Sequence, residues 1–143
     1  MDKTTLTNTG YSGTTLIHPL SIVHRSSEIS EGVYISNNVT VTCNCVINEN
    51  VSIFGMDFVG HDITIGKHAV ISGGVVIGGG STIGEGCYIG LNAGIKDKVS
   101  IGGWSIVGMA SAVFQDLPEY VIAVGNPARV VKKNEELLVF KNK

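Results

Sequence analysis

Val59-Gly60-His61-Asp62-Ile63-Thr64-Ile65-Gly66 carries both a structural repeat and the best candidate in the chain for proton transfer. Val59 and Ile65 stand six residues apart, and the spacing continues in both directions. Counting in sixes from Ile17 gives Val23, Ile29, Ile35, Val41, Ile47, Ile53, Val59, Ile65, Ile71, Ile77, Ile83, Ile89, Ile95, Ile101, Val107 and Val113. Seventeen consecutive β-branched aliphatics in one register require a common structural role. A period of six does not hold one face of a helix at about 3.6 residues per turn, and the turn signals come too often for the hairpins of a sandwich. Short parallel strands stacked coil on coil are what is left.

The neighbouring columns repeat as well. Two residues before each rung stands a small or β-branched side chain, from Thr15, Ser21 and Ser27 to Ser105 and Ser111, and only Asp57 breaks the column. Alternation sends this residue and the rung inward. After the rung come Gly60, Gly66, Gly78, Gly84, Gly90, Gly102 and Gly108, where glycine suits a sharp turn and a close approach of backbones. From Ile17 to Val51 that position holds His18, His24, Ser30, Ser36, Thr42 and Asn48 instead, which predicts less tightly turned coils.

The composition fits thin aliphatic layers: 43% hydrophobic residues and 19 glycines, but only 6% aromatic residues, in a length suited to one domain. A net charge of -2 and a pI near 6.0 give no overall field for nucleic acid. The amino terminus lacks the apolar run of a signal peptide, and no stretch is long enough to span a bilayer, so a cytoplasmic location is expected. Cys43, Cys45 and Cys87 are odd in number and lack zinc-site spacing, and they read as free thiols.

Residues 1–14 show no period and read as an irregular lead, 15–131 as the repeat domain, and 132–143 as a helical cap with Asn134 at its start. No hexad is lengthened between Val59 and Val113, so no long loop leaves the solenoid there. The period fails at residues 114–118; residues 120–124 read as a last strand and 125–129 as a turn. Phe54, Met56, Asp57 and Phe58 interrupt the pattern just before His61. They are either a bulge covered by aromatic packing or the wall of a substrate pocket, and adjacency to His61 favours the wall.

An imidazole is suited to taking a proton from an amine or hydroxyl near neutral pH, so His61 suits general-base work, while Asp62 suits orienting it. The competing reading is an exposed turn histidine beside an exposed acid; their place in the ladder favours chemistry.

The pattern [Ile/Val]-Gly-x-x-[small]-x resembles that of the hexapeptide-repeat acyltransferases over residues 15–131. The resemblance implies an all-β fold, a left-handed parallel β-helix of triangular section, with eighteen residues per coil and five to six coils here. His61-Asp62 resembles the His-Glu or His-Asp site of the sugar acetyltransferases that include the sialic acid and bacillosamine pathway enzymes. That similarity implies His61 as general base, Asp62 as its orienting carboxylate, and Gly79, one coil on, as a backbone donor to the oxyanion. Cys43, one coil back, is read as packing or pocket lining.

Gly125-Asn126-Pro127-Ala128-Arg129 matches the Gly-x-Pro-Ala-[Arg/Lys] segment that many of these enzymes place beside the nucleotide of CoA. It implies acetyl-CoA as donor, with Asn126, Pro127, Arg129 and Lys132 near the phosphates, helped by Lys133. The pantetheine arm would then run past Gly90, Ala93, Gly108 and Ala110. Family likeness further implies a homotrimer with sites between subunits, no resident metal, and a sugar or related small acceptor. Either another subunit supplies acceptor binding, or the acceptor is smaller and sits against Phe54, Met56, Asp57 and Phe58, which depart from the smaller polar residues of those enzymes. The nucleotide-sugar domain that usually precedes this fold in those enzymes has no counterpart in the fourteen leading residues. Two rivals stand beside this reading: a zinc enzyme resembling the γ-class carbonic anhydrases, although His61 and His68 lie seven apart, unlike that class's closer pair, and a non-catalytic scaffold.

Overall fold

The computed structural model describes residues 14–137. Its strands are numbered β1 to β19 in chain order, and the first seventeen, from β1 (Leu16–Ile17) to β17 (Ala112–Val113), are two-residue steps that recur every six residues. From β1 to β14 each pairs in parallel with the third strand on, so that Ile17 faces Ile35, Val59 faces Ile77 and Ile83 faces Ile101. The result is a left-handed parallel β-helix of about six coils. The first face runs from β1 to β16 (Ile106–Val107) and continues into β18 (Val121–Gly125) and β19 (Ala128–Lys133). The second runs from β2 (Ile22–Val23) to β17, and the third from β3 (Glu28–Ile29) to β15 (Ser100–Ile101).

The rungs form the core. Ile35, Ile47, Ile53, Val59, Ile65, Ile71, Ile77, Ile83 and Ile89 are fully buried, while Ile17, Val23 and Ile29 on the first coil are only partly covered. Each buried side chain of this size contributes about 2 kcal/mol from apolar area. Polar members of the column two residues before the rung stitch coils together. Ser27 Oγ donates to Thr42 O (2.7 Å) and accepts from Cys45 N (2.9 Å), and Ser81 does the same with Lys96 O and Val99 N.

The turn lies elsewhere than the glycine column suggested. The left-handed backbone falls three residues after the rung, at Asn38, Asn44, Asn50, Asp62, Gly74, Gly80, Gly86 and Asn92. From Gly32 to Asn50 the turns of the early coils are made in the same way, with glycine or asparagine in the left-handed position, and there the expectation of looser turns is corrected; at Leu20 and Ser26, the equivalent places of the first two turns, the backbone is not left-handed. Glycine directly after the rung serves the close stacking of coils: a Cβ at Gly66 would lie 2.5 Å from Glu85 N.

No bulge interrupts residues 53–58, because Phe58 and Val59 pair in register with Thr40 and Val41. After Val113 the repeat is shortened by two residues and not abandoned. Leu117 bridges to Ile101 and Ala123 pairs with Val107, so both take rung positions.

Beyond it the chain folds into an antiparallel hairpin of β18 and β19, turning at Asn126-Pro127. The expected helix over 132–143 is corrected for its described part: Lys132 and Lys133 belong to β19, and Glu135-Glu136 form a turn. The β-branched pair Val130-Val131 extends the strand, and Asn134, buried at 2% exposure, anchors it by donating from Nδ2 to Trp104 O (2.8 Å). The leading residues 1–13 and the last six of the expected cap lie outside the described residues. Among the described residues no helix is long and apolar enough to cross a membrane.

Candidate active site

His61 and Asp62 form the corner between the second and third faces, on the third coil. Asp62 takes the left-handed position there, φ 56°, which aspartate tolerates better than most residues. Its amide donates to Cys43 O on the coil below (3.0 Å), and His61 O accepts from Gly80 N on the coil above (2.8 Å). The pair is thus held from both sides by the coil stacking.

His61 Nδ1 lies 2.7 Å from Asp62 Oδ2. The carboxylate is an acceptor, so in the neutral ring Nδ1 carries the proton and Nε2 presents its lone pair. Nε2 rests over Gly79: a Cβ at that position would come within 2.5 Å of it. Glycine at 79 therefore makes room for the imidazole, and the Gly79 amide donates to no backbone acceptor among the described residues. The hydrogen bond from His61 holds the Asp62 carboxyl below the usual carboxylate range, with a smaller contribution from Asn44 working against desolvation. Both side chains are open to water, at 65% and 58% exposure, so a single prism offers a ledge and not a closed cavity.

The aromatic cluster divides. Phe54, Met56 and Phe58 are exposed, and Phe54 packs edge-on against Tyr34 with ring centroids 5.9 Å apart. Asp57 is not part of an exposed wall, because it occupies an inward position and is 2% exposed. Its Oδ1 accepts from Val75 N (2.7 Å), Oδ2 has no partner, and burial pushes its pKa up to about 8. Phe54 and Met56 sit on the corner between the first and second faces, and Phe58 is exposed on the second face, in the strand that leads to the corner of His61.

The residues expected around CoA gather on that same first corner, higher in the stack. Gly90 lies on one coil there and Gly108 and Ala110 on the next, and Asn126-Pro127 forms the hairpin turn above them. Arg129 and Lys132 are exposed on β19. Ala93 is the exception: its methyl points into the core at 1% exposure and touches nothing outside the prism. The exposed Leu91, Met109 and Val124, missed in the sequence, give this edge an apolar surface beneath the cations. Four coils separate His61 from the hairpin, about 19 Å at roughly 4.8 Å per strand spacing.

Cys45 and Cys87 are buried, and burial raises both thiols, Cys87 to about 11. The histidines do not converge. His18 and His24 cap their own turns through Nδ1, and among the described residues no three His, Cys, Asp or Glu side chains form a group able to hold a metal ion.

No protein-family model and no curated protein matches the chain. Solved structures do. A histidine-to-asparagine variant of perosamine N-acetyltransferase from Caulobacter crescentus, in complex with CoA and GDP-perosamine, matches with a TM-score of 0.83 at 30% identity, over 85% of this chain and 58% of that one. The acetyltransferase domain of PglB from Neisseria gonorrhoeae, in complex with acetyl coenzyme A, gives 0.82 at 27% identity, over 85% and 60%. WeeI from Acinetobacter baumannii gives 0.65 at 27%, over 82% and 57%. The chain spans about three-fifths of the length of these neighbours. They are hexapeptide-repeat acyltransferases with a β-solenoid, so the repeat and the neighbours agree on the fold.

Proposed function

We propose that the chain is an acetyl-CoA-dependent acetyltransferase that moves an acetyl group to an amine or hydroxyl of a sugar or related small acceptor by direct transfer. The single observation that carries this reading is the His61 imidazole, anchored at Nδ1 by Asp62 and laid with Nε2 over Gly79. Neighbours of the same fold that are solved with CoA or acetyl-CoA support the donor, and the one solved with GDP-perosamine supports a sugar acceptor.

In this reading Nε2 removes the proton from the acceptor nitrogen or oxygen as it attacks the thioester carbonyl. Asp62 fixes the tautomer and stabilises the imidazolium that results. The Gly79 amide, which donates to no backbone acceptor among the described residues, meets the developing oxyanion. The thiolate of CoA leaves and takes up the proton that His61 holds. Gly90, Gly108 and Ala110 line the path of the pantetheine arm, and Asn126, Pro127, Arg129 and Lys132 receive the nucleotide end. An apolar edge topped by exposed cations suits a ligand with an apolar arm and a phosphate-bearing head. The acceptor rests against Phe54, Met56 and Phe58.

Because the base lies on an open ledge and the CoA edge is a different corner, the reading includes a homotrimer whose sites form between prisms. A cytoplasmic location belongs to the same reading. The test is thiol release from acetyl-CoA against a panel of amino sugars, nucleotide-sugars beginning with GDP-perosamine, sialic acids and amino acids. His61→Ala is expected to abolish transfer while CoA affinity, measured by calorimetry, stays within about twofold. Full activity in that variant removes the mechanism.

A further inference from the structure

Beneath His61 its corner continues through two coils, which hold Thr42-Cys43-Asn44 and, at the foot, His24-Arg25-Ser26. Arg25, Cys43, His61 and Gly79 occupy equivalent places eighteen residues apart, each two residues past a paired rung, so they stack in one column. None of the six residues below the pair is acidic, and Arg25 is the one lysine or arginine between residues 14 and 66. It is exposed. Among the described residues the ion pairs are His61–Asp62, Lys67–Glu49 and Lys96–Asp97, and no carboxylate lies within pairing distance of Arg25.

The turn that presents Arg25 is tied on both sides of it. His24 N donates to Val41 O (2.9 Å) and Ser27 N to His24 O (2.9 Å), while Ser26 N donates to His24 Nδ1 (3.2 Å) and Ser26 Oγ accepts from Asn44 N (2.9 Å). An unpaired guanidinium thus stands on a fixed backbone.

Direction decides what it meets. His61 Nε2 is laid over Gly79 on the coil above, and the cations proposed to hold the nucleotide end of CoA stand higher still, on β19. The thioester therefore comes from above, which leaves the strip below His61 to the acceptor. Cys43 is half-buried and Asn44 and Ser26 are exposed, so that strip offers polar groups and one cation. Two strand spacings, about 10 Å, separate the backbones of Arg25 and His61. An arginine side chain and one sugar ring together fill that gap.

We propose that Arg25 is a specificity-determining residue: its guanidinium pairs with an oxyanion, phosphate or carboxylate, that the acceptor carries across one sugar ring from the atom to be acetylated. The inference rests on the reading of His61 as general base and adds to it the sign of the acceptor's charge. A guanidinium presents paired donors that match either oxyanion, and its open setting makes the contact sensitive to salt.

Three probes separate the cases. GDP-perosamine carries phosphate across the ring from its amine, the methyl glycoside of neuraminic acid carries carboxylate there, and the methyl glycoside of perosamine carries neither. Calorimetric binding to the CoA-loaded protein reads the contact without any transfer. At least one anionic probe is expected to bind about tenfold or more tightly than the neutral one, and the arm that does so identifies the anion. Arg25→Ala removes that preference while CoA affinity, neutral-probe binding and thermal midpoint stay unchanged, and Arg25→Lys keeps part of it. In turnover the KM for the preferred probe rises by the same factor with kcat within about twofold. Equal affinity for all three probes, or a preference that survives Arg25→Ala, overturns the proposal. Full activity in His61→Ala alongside an Arg25-dependent preference overturns the general-base reading instead and leaves Arg25 as the contact for the anion.

Discussion

Asp57 shows what a single inward position demands. At the equivalent places Ser21, Ser27 and Ser81 each donate to the carbonyl fifteen residues on and accept from the amide eighteen residues on. Asp57 makes the second bond, to Val75 N, while its Oδ2 is buried without a partner. A neutral carboxyl leaves no unpaired charge at that buried oxygen, which agrees with a pKa pushed up to about 8 by burial. An unfolded aspartate titrates near 3.8. Between about pH 4 and pH 8 the folded chain therefore retains a proton that the unfolded chain has released. Stability falls across that window as pH rises, by up to roughly 1 kcal/mol per unit, and the dependence ends above it. Asp57→Asn keeps the acceptor and adds a permanent donor. It is expected to flatten the slope and to be the more stable protein at pH 8, as measured by urea denaturation from pH 5 to pH 8; an unchanged slope contradicts the assignment. At this scale the sequence was half legible. His61-Asp62 is visible because its members are adjacent, whereas the amide and carbonyl that pin the pair, Gly80 N and Cys43 O, belong to other coils. Asp57 was misplaced on the pocket wall because nearness to His61 outweighed the alternation that points it inward.

At the scale of the repeating element, two columns share the work that sequence reading gave to one. The left-handed position three residues after the rung makes the turn, and Asn38, Asn44, Asn50 and Asn92 were a signal for it at six-residue multiples. Glycine directly after the rung instead lets one coil settle on the next. Gly66→Ala places a methyl 2.5 Å from Glu85 N and is expected to force coils apart, lowering stability by about 2 kcal/mol or more. Gly94 lies in β14 (Gly94–Ile95) with nothing within 4 Å of a Cβ. Gly94→Ala restricts the unfolded chain at no steric cost, and a gain of about 0.5 kcal/mol is expected. Calorimetric melting of the two variants decides the matter: equal losses mean that glycine acts by flexibility and not by stacking. The carboxy-terminal hairpin was missed for a related reason. Asn134-Glu135-Glu136 reads as the start of a helix when taken alone, whereas Gly125-Asn126-Pro127 between Val121-Ile122-Ala123-Val124 and Arg129-Val130-Val131 is a turn between two β-branched runs.

The whole molecule sets the chemistry on one edge and the donor on another. The ladder predicted the prism almost completely, because each rung repeats one packing demand, but a repeat contains no information about what lies beside it. His61 stands on the third coil between the second and third faces, and Arg129 and Lys132 stand on β19 beyond the sixth coil of the first face. If each site takes its base from one prism and its nucleotide clamp from the next, as the proposed trimer requires, then the two halves can be damaged in different chains. His61→Ala homotrimers are expected to be inactive, and Arg129→Ala/Lys132→Ala homotrimers to be impaired by a raised KM for acetyl-CoA. After denaturation and joint refolding in equal amounts, random assortment gives about one interface in four with an intact base facing an intact clamp. The mixture should therefore recover roughly a quarter of native kcat at the native KM, as measured by thiol release. A site built within one chain allows no such rescue, because no chain in the mixture carries both halves. A mixture that shows only the average of its parents thus places base and clamp on the same prism, whereas recovery at the native KM requires that they meet across the interface.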